Sequence, residues 1–149
     1  MNKIVLGILL ALPAPGVRLH AAPNNFDDLL RRIEASRDRD ETWLALTYAD
    51  QLAAFPELTA SQRAEARRHA GEIRVLVGDF AGAAKNFASV LEVKPEDPDV
   101  LLMLAEAKRD RPDEALVYAE RAALAAGGSV ATRTKADLLA GELKIDLGD

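Results

Sequence analysis

The sequence predicts an all-α protein made of helices stacked pairwise along one direction, and three observations carry that prediction. From residue 24 onward no stretch alternates apolar and polar residues as a half-buried strand does, whereas apolar residues recur at helical spacing. Hydrophobic residues make up 49% of the chain but aromatic ones only 5%, and alanine leads the composition. Small side chains suit close helix–helix packing, while sheets draw on β-branched and aromatic residues. Third, the segment AGEIRVLVGD at 70–79 returns as AGELKIDLGD at 140–149. Self-similarity of this kind marks a repeating structural unit.

The chain has 149 residues, enough for one domain with a substantial core. Its formal net charge is -5, with both signs scattered and no basic stripe. That pattern speaks against a nucleic-acid partner, because neutralising phosphates needs clustered Lys and Arg. Cysteine is absent, which excludes disulfides, thiol catalysis and a lipoprotein anchor. Residues 1–22 have the layout of a secretory signal peptide: Lys3, an apolar run from Ile4 to Leu12, then Pro13, Pro15 and Gly16, then Ala21 and Ala22. The alternative is an uncleaved anchor, although the apolar run is far shorter than the ~20 residues a membrane span requires. Leu19 and His20 are poor residues for the cleavage position. Once this segment is removed no stable membrane span is expected.

Each later element has its own start and stop. Phe26, Leu29, Leu30 and Ile33 mark a first helix that ends in the charged turn SRDRD. Asp40 is placed to cap a second helix through Trp43, Leu46, Ala49 and Leu52, which Pro56 stops. Thr59 and Gln62 form a capping box for a third, whose apolar face is Ala66, Ala70, Ile73 and Val77. Gly78 ends it, since glycine takes left-handed backbone at low cost. Asp79 caps a fourth helix with Phe80, Ala83, Phe87, Val90 and Leu91 inward, stopped near Pro95. Asp97 and Pro98 open a fifth, with Leu101, Leu104 and Ala105 apolar. Pro112 opens a sixth carrying Ala115, Leu116, Ala119 and Ala122, and Gly127 and Gly128 close it. Ser129 caps a seventh with Leu139, Leu143 and Leu147 as its stripe.

Residues 64–97 resemble a tetratricopeptide repeat, a helix–turn–helix of about 34 residues with the pattern W-x2-L-G-x2-Y, A-x3-F and a closing proline. Gly71 falls on the motif glycine, Ala83 and Phe87 on A-x3-F, and Pro95 on the proline, with Gly78, Asp79 and Phe80 as the turn. Arg67, Ala70 and Arg74 depart from the tryptophan, leucine and tyrosine. Residues 98–131 follow as a second unit, with Leu101, Leu104 and Ala105 at the first-helix positions, Ala115 and Ala119 at the second-helix positions, a shorter turn, and Gly127 in place of proline. Residues 134–149 form a partial third, where Gly141 matches Gly71. Residues 24–57 read as a degenerate hairpin, because Trp43 and Tyr48 fit no clean register. The chain then divides into 1–22, 24–57 and the repeat region 59–149. The resemblance implies a right-handed α-α superhelix in which Gly71, Ala105 and Gly141 let the paired helix approach closely. It also implies that the seventh helix lacks a pair: the chain reads either as a fragment of a longer array or as one capped by that helix.

No residue set points to catalysis. His20 lies in the leader, and His69 with Glu72 supplies too few ligands for a metal. Ser36, Ser61, Ser89 and Ser129 lack a Gly-x-Ser-x-Gly setting. Ala126, Gly127 and Gly128 end a helix without the Gly-Lys-Ser/Thr of a phosphate loop. Glu96, Asp97 and Asp99 flank a proline turn and read as caps. The expectation is a non-enzyme without metal or cofactor.

The resemblance also implies where a partner binds. First helices of such units line a concave groove, which makes Glu65, Arg68, Glu72 and Val75, then Asp99, Leu102, Glu106 and Arg109, then Lys135, Leu138, Glu142 and Ile145 the candidate partner-binding residues. Glu72, Glu106 and Glu142 recur after the small motif position as an acidic stripe beside Val75, Leu102 and Leu138. Alternatively, glutamate is simply a good helix former on a wet face. A stripe of this charge repels the C-terminal carboxylate that some members of the family clamp, and favours extended or helical peptides of basic or apolar character. The expected protein is a non-catalytic scaffold or adaptor for a protein or peptide, exported to a bacterial periplasm, its oligomeric state open. The alternative is the N-terminal docking region of a larger exported enzyme or polysaccharide-export protein truncated at Asp149.

Overall fold

The structure, a computed structural model, describes residues 26–148, so the signal-peptide assignment at 1–22 lies outside them. Seven helices follow one another among the described residues: α1 (Phe26–Asp38), α2 (Thr42–Ala53), α3 (Ala60–Leu76), α4 (Phe80–Leu91), α5 (Pro98–Ala107), α6 (Pro112–Leu124) and α7 (Val130–Leu147). No strand occurs among them, and the all-α expectation holds.

Most helix starts obey local chemistry. The Gln62 N–H donates to the Thr59 hydroxyl at 3.2 Å, and the Thr59 N–H donates to the Gln62 side chain at 3.1 Å, completing the capping box. Asp79, Asp97 and Ser129 accept from the N–H groups of Gly82, Val100 and Thr132 in the same way. Gly78 ends the α3 region with φ 80°, the left-handed backbone expected of it. The start of α2 differs from expectation. Asp40 adopts φ 58° in the turn, and Glu41 holds the cap position without a side-chain hydrogen bond. Asp40 is therefore a turn residue, tolerated because a short polar side chain suits left-handed backbone better than a bulky one.

Burial follows one rule in every helix. A fully or nearly fully buried triplet at i, i+4 and i+7 runs through Leu29, Ile33 and Ser36 in α1 and through Ala45, Ala49 and Leu52 in α2. It continues as Ala66, Ala70 and Ile73 in α3, Ala83, Phe87 and Val90 in α4, and Val100, Leu104 and Ala107 in α5. Ala115, Ala119 and Ala122 in α6 and Ala136, Ala140 and Leu143 in α7 complete the set. The spacing is that of one helical face, and small members let axes approach. These triplets gather into three successive clusters: α1, α2 and α3 form the first, α3, α4 and α5 the second, and α5, α6 and α7 the third. Each helix packs on the next in sequence, and beyond nearest neighbours α5 touches both α3 and α7. The result is a chain of shared small cores, a helical-repeat architecture in which α3, α5 and α7 form one layer.

Three expected core residues lie outside it. Trp43 is 69% exposed, because α2 turns Ala45, Ala49 and Leu52 inward and leaves position 43 on the solvent side of that stripe. The first hairpin accordingly keeps the common burial pattern through its alanines, with no part played by the tryptophan. Phe80 is the first residue of α4, ahead of its first inward position at Ala83, and is exposed. Leu147 lies a turn beyond Leu143 and is exposed too. Gly71 is buried against α4: a Cβ added there meets Phe87 Cε1 at 2.5 Å. Gly141, its sequence equivalent, faces open space.

Candidate functional site

The α3, α5 and α7 layer borders two clefts. The larger, of about 800 Å³, is walled by Phe80 from α4, by Glu106, Ala107, Arg109 and Asp110 at the end of α5, and by Lys135, Leu138, Leu139 and Glu142 of α7. Its position follows from the repeat. The α5 helix is short, ten residues against eighteen in α7, and the cleft lies between the C-terminal end of α5 and the middle of α7. Phe80, Ala107, Leu138 and Leu139 contribute apolar surface to it, beside the charged Glu106, Arg109, Asp110, Lys135 and Glu142. The smaller cleft, of about 450 Å³, includes Glu65, Arg68, His69 and Glu72 from α3 with Lys94 and Asp97 beyond α4.

Of the twelve groove residues expected from sequence, Glu106, Arg109, Lys135, Leu138 and Glu142 come together in the larger cleft, and Glu65, Arg68 and Glu72 in the smaller. The other four go elsewhere. Leu102 is only 7% exposed and belongs to the third core cluster. Val75 is half-buried against the second cluster. Asp99 accepts a hydrogen bond from the Thr132 hydroxyl at 2.7 Å and so ties α5 to the start of α7. Ile145 is exposed and lines neither cleft.

The acidic stripe is largely neutralised. Glu72 accepts from Arg68 Nε at 3.1 Å and from an Arg37 nitrogen at 3.4 Å, and Glu142 pairs with Arg109. Arg68 also approaches Asp99 at 4.0 Å. Arg68 meets Glu72 four residues along α3, the ordinary helix-face spacing, whereas Arg37 comes from α1 and Arg109 from the turn after α5, out of sight of any rule that looks three or four residues along one helix. Among the described residues Glu106 alone of the three glutamates has no ion pair. Phe80, Ala107, Asp110 and Leu139 join the cleft without having been expected there; the signal for Phe80 was its place directly after the Asp79 cap, where a helix has not yet turned inward.

Behind the cleft the α5–α6 turn is clamped. Lys108 Nζ donates to Glu114 at 2.5 Å and Arg111 donates to its other oxygen at 2.7 Å. The Lys108 hydrogen bond, helped by the charge of Arg111, holds the Glu114 carboxyl below the ordinary 4.5. Chemically the cleft offers apolar surface beside charged side chains. Among the described residues no group of three or more potential ligands could hold a metal ion, and no helix is long and apolar enough to cross a membrane. No protein-family model matches the chain, and no curated protein shows a significant match to it.

Proposed function

We propose that the protein is a non-catalytic scaffold of tetratricopeptide-like, right-handed superhelical architecture that binds a protein partner through the cleft between α5 and α7. The observation that carries this reading is Leu138, 64% exposed in the wall of a cleft it shares with the exposed Phe80. Two large apolar side chains lining one recess, beside charged ones, mark an interaction site better than scattered surface leucines do. With Arg109 and Glu142 paired, Glu106 and Asp110 outnumber Lys135 in its lining, which favours a peptide that is apolar with basic flanks. The layout of residues 1–22 supports export to the bacterial periplasm as the setting.

The test is selection from a random peptide library on the wild-type protein, with counter-selection on Leu138→Arg. Because Leu138 is exposed, this substitution leaves the core intact. Enriched peptides are expected to carry an apolar residue next to Lys or Arg and to lose binding to Leu138→Arg and to Phe80→Ala. A selection that returns only peptides binding all three proteins equally would remove the cleft as the site.

A further inference from the structure

Far from that cleft, the first hairpin borders a separate, solvent-open recess of different chemistry. It measures about 470 Å³ and is lined by Arg31, Arg32, Ala35, Ser36, Arg39 and Tyr48, with no carboxylate among these residues. Arg31, Ala35 and Arg39 rise turn by turn along α1 and its C-terminal extension, and Arg32 and Ser36 follow the adjoining line, so helical spacing brings three guanidiniums to one wall. Tyr48 reaches in from α2, with its ring 5.8 Å from the Arg32 guanidinium carbon.

Two details point to a ligand. Ser36 is fully buried, yet its hydroxyl has no hydrogen-bond partner. Buried hydroxyls nearly always have one, and this donor, closed off from solvent, becomes available to a ligand acceptor only when the side chains that cover it shift. The arginines, for their part, are anchored without being saturated. Arg32 Nε donates to Asp28 at 2.9 Å, and Arg39 donates to Glu41 at 3.0 and 2.9 Å through one edge. The exposed Arg31 comes no closer than 3.7 Å to Asp28. A guanidinium carries five N–H donors in a planar fork, and these contacts occupy a minority of them. The hydrogen bonds to Asp28 and then Tyr48 raise the Arg32 pKa above its already high ordinary value, so this group stays charged.

We propose that this recess is a binding site for a small oxyanion of the phosphate class, either free or as the phosphate of a lipid headgroup. Arg31, Arg32 and Arg39 supply charge-assisted N–H donors, the Ser36 hydroxyl donates a further hydrogen bond, and Tyr48 bounds the side facing α2. The forked geometry suits a tetrahedral anion whose oxygens each accept more than one bond. Net charge cannot do this work, since the chain is acidic at -5 and its long-range field opposes anions. Only local donors hold the ligand, and salt weakens them where they are exposed.

The experiment titrates the full-length protein with sodium phosphate at low ionic strength, against a sodium chloride titration of equal ionic strength, following backbone amide NMR shifts. In parallel the protein is sedimented with phosphatidylglycerol vesicles and with phosphatidylcholine vesicles. The double variant Arg31→Gln, Arg39→Gln changes two exposed side chains, and Ser36→Ala removes only the unpaired hydroxyl; melting curves check that both fold. Saturable shifts confined to α1 and α2, given by phosphate and not chloride and weakened at least about tenfold by the double variant, establish a free-phosphate site. Ser36→Ala is expected to weaken it a few-fold. Phosphatidylglycerol binding that needs Arg31 and Arg39, without a phosphate titration, places the same chemistry on a headgroup. If phosphate gives no saturable shift and vesicle binding is absent, or if the double variant behaves as wild type in both assays, the proposal is overturned.

Discussion

Residue by residue, the sharpest contrast lies between two glycines that the sequence presents as equivalent. Gly71 is buried, and a methyl group there drives into the Phe87 ring, itself fully enclosed by the second cluster and unable to swing away. Gly71→Ala is expected to destabilise by about 1–3 kcal/mol despite alanine's better helix propensity, and Phe87→Leu placed on top is expected to recover part of that loss. Gly141 sits within α7 with nothing near an added Cβ. Gly141→Ala should therefore stabilise by roughly 0.5–1 kcal/mol, from reduced backbone entropy alone. Urea melts of the three variants check the set, and opposite signs at Gly71 and Gly141 are the decisive result. The motif glycine was legible in the sequence. That α7 lacks a paired helix opposite Gly141 was an expectation too; what the sequence does not show is how closely Phe87 shuts on Gly71.

At the scale of the element, the caps were the most legible features, since a cap is a local bargain between one side chain and backbone two or three residues away. Thr59, Asp79, Asp97 and Ser129 all behave as their residue types and spacing predict. Asp40 misled because it is a capping type directly before a helix, yet the tight α1–α2 turn requires positive φ at that position. Asp40→Gly is consequently expected to leave stability unchanged or raise it by up to about 1 kcal/mol, where loss of a true cap lowers it; a thermal melt decides. The α5–α6 turn carries a pH signature. Glu114 has its folded pKa below the unfolded value near 4.5, so its contribution is fully present above that value and is lost as pH falls through the folded pKa. Glu114→Gln should be less stable than wild type at neutral pH, and the gap should close in acid below 4.5. An equal gap at both ends of a pH series of melts removes this clamp as its source.

For the molecule as a whole, helical periodicity and the ten-residue duplication made the all-α stacked plan readable. Of the candidate site's charge pattern only the Arg68–Glu72 pair, four residues apart on one helix, was legible. Pairs such as Arg109 with Glu142 and Arg37 with Glu72 join residues of different elements, and only the stacking of α1, α3, α5 and α7 defines which arginine meets which glutamate. The same stacking governs how the protein fails. Three small clusters in series, joined through α3 and α5, share no common centre. In such arrays stability is a sum of unit and nearest-neighbour terms, so damage spreads by adjacency. Leu143 is buried in the third cluster, and Leu143→Ala should cost about 2–5 kcal/mol there. Amide hydrogen exchange is expected to rise first in α6 and α7, next in α5, and least in α1 and α2, where Leu29, Ile33 and Leu52 form a separate core. The converse lesion, Ile73→Ala in the first cluster, should reverse that order. Uniform loss of protection in both variants would mean that the three clusters melt as one, and that the helices form a single cooperative core in place of a stack.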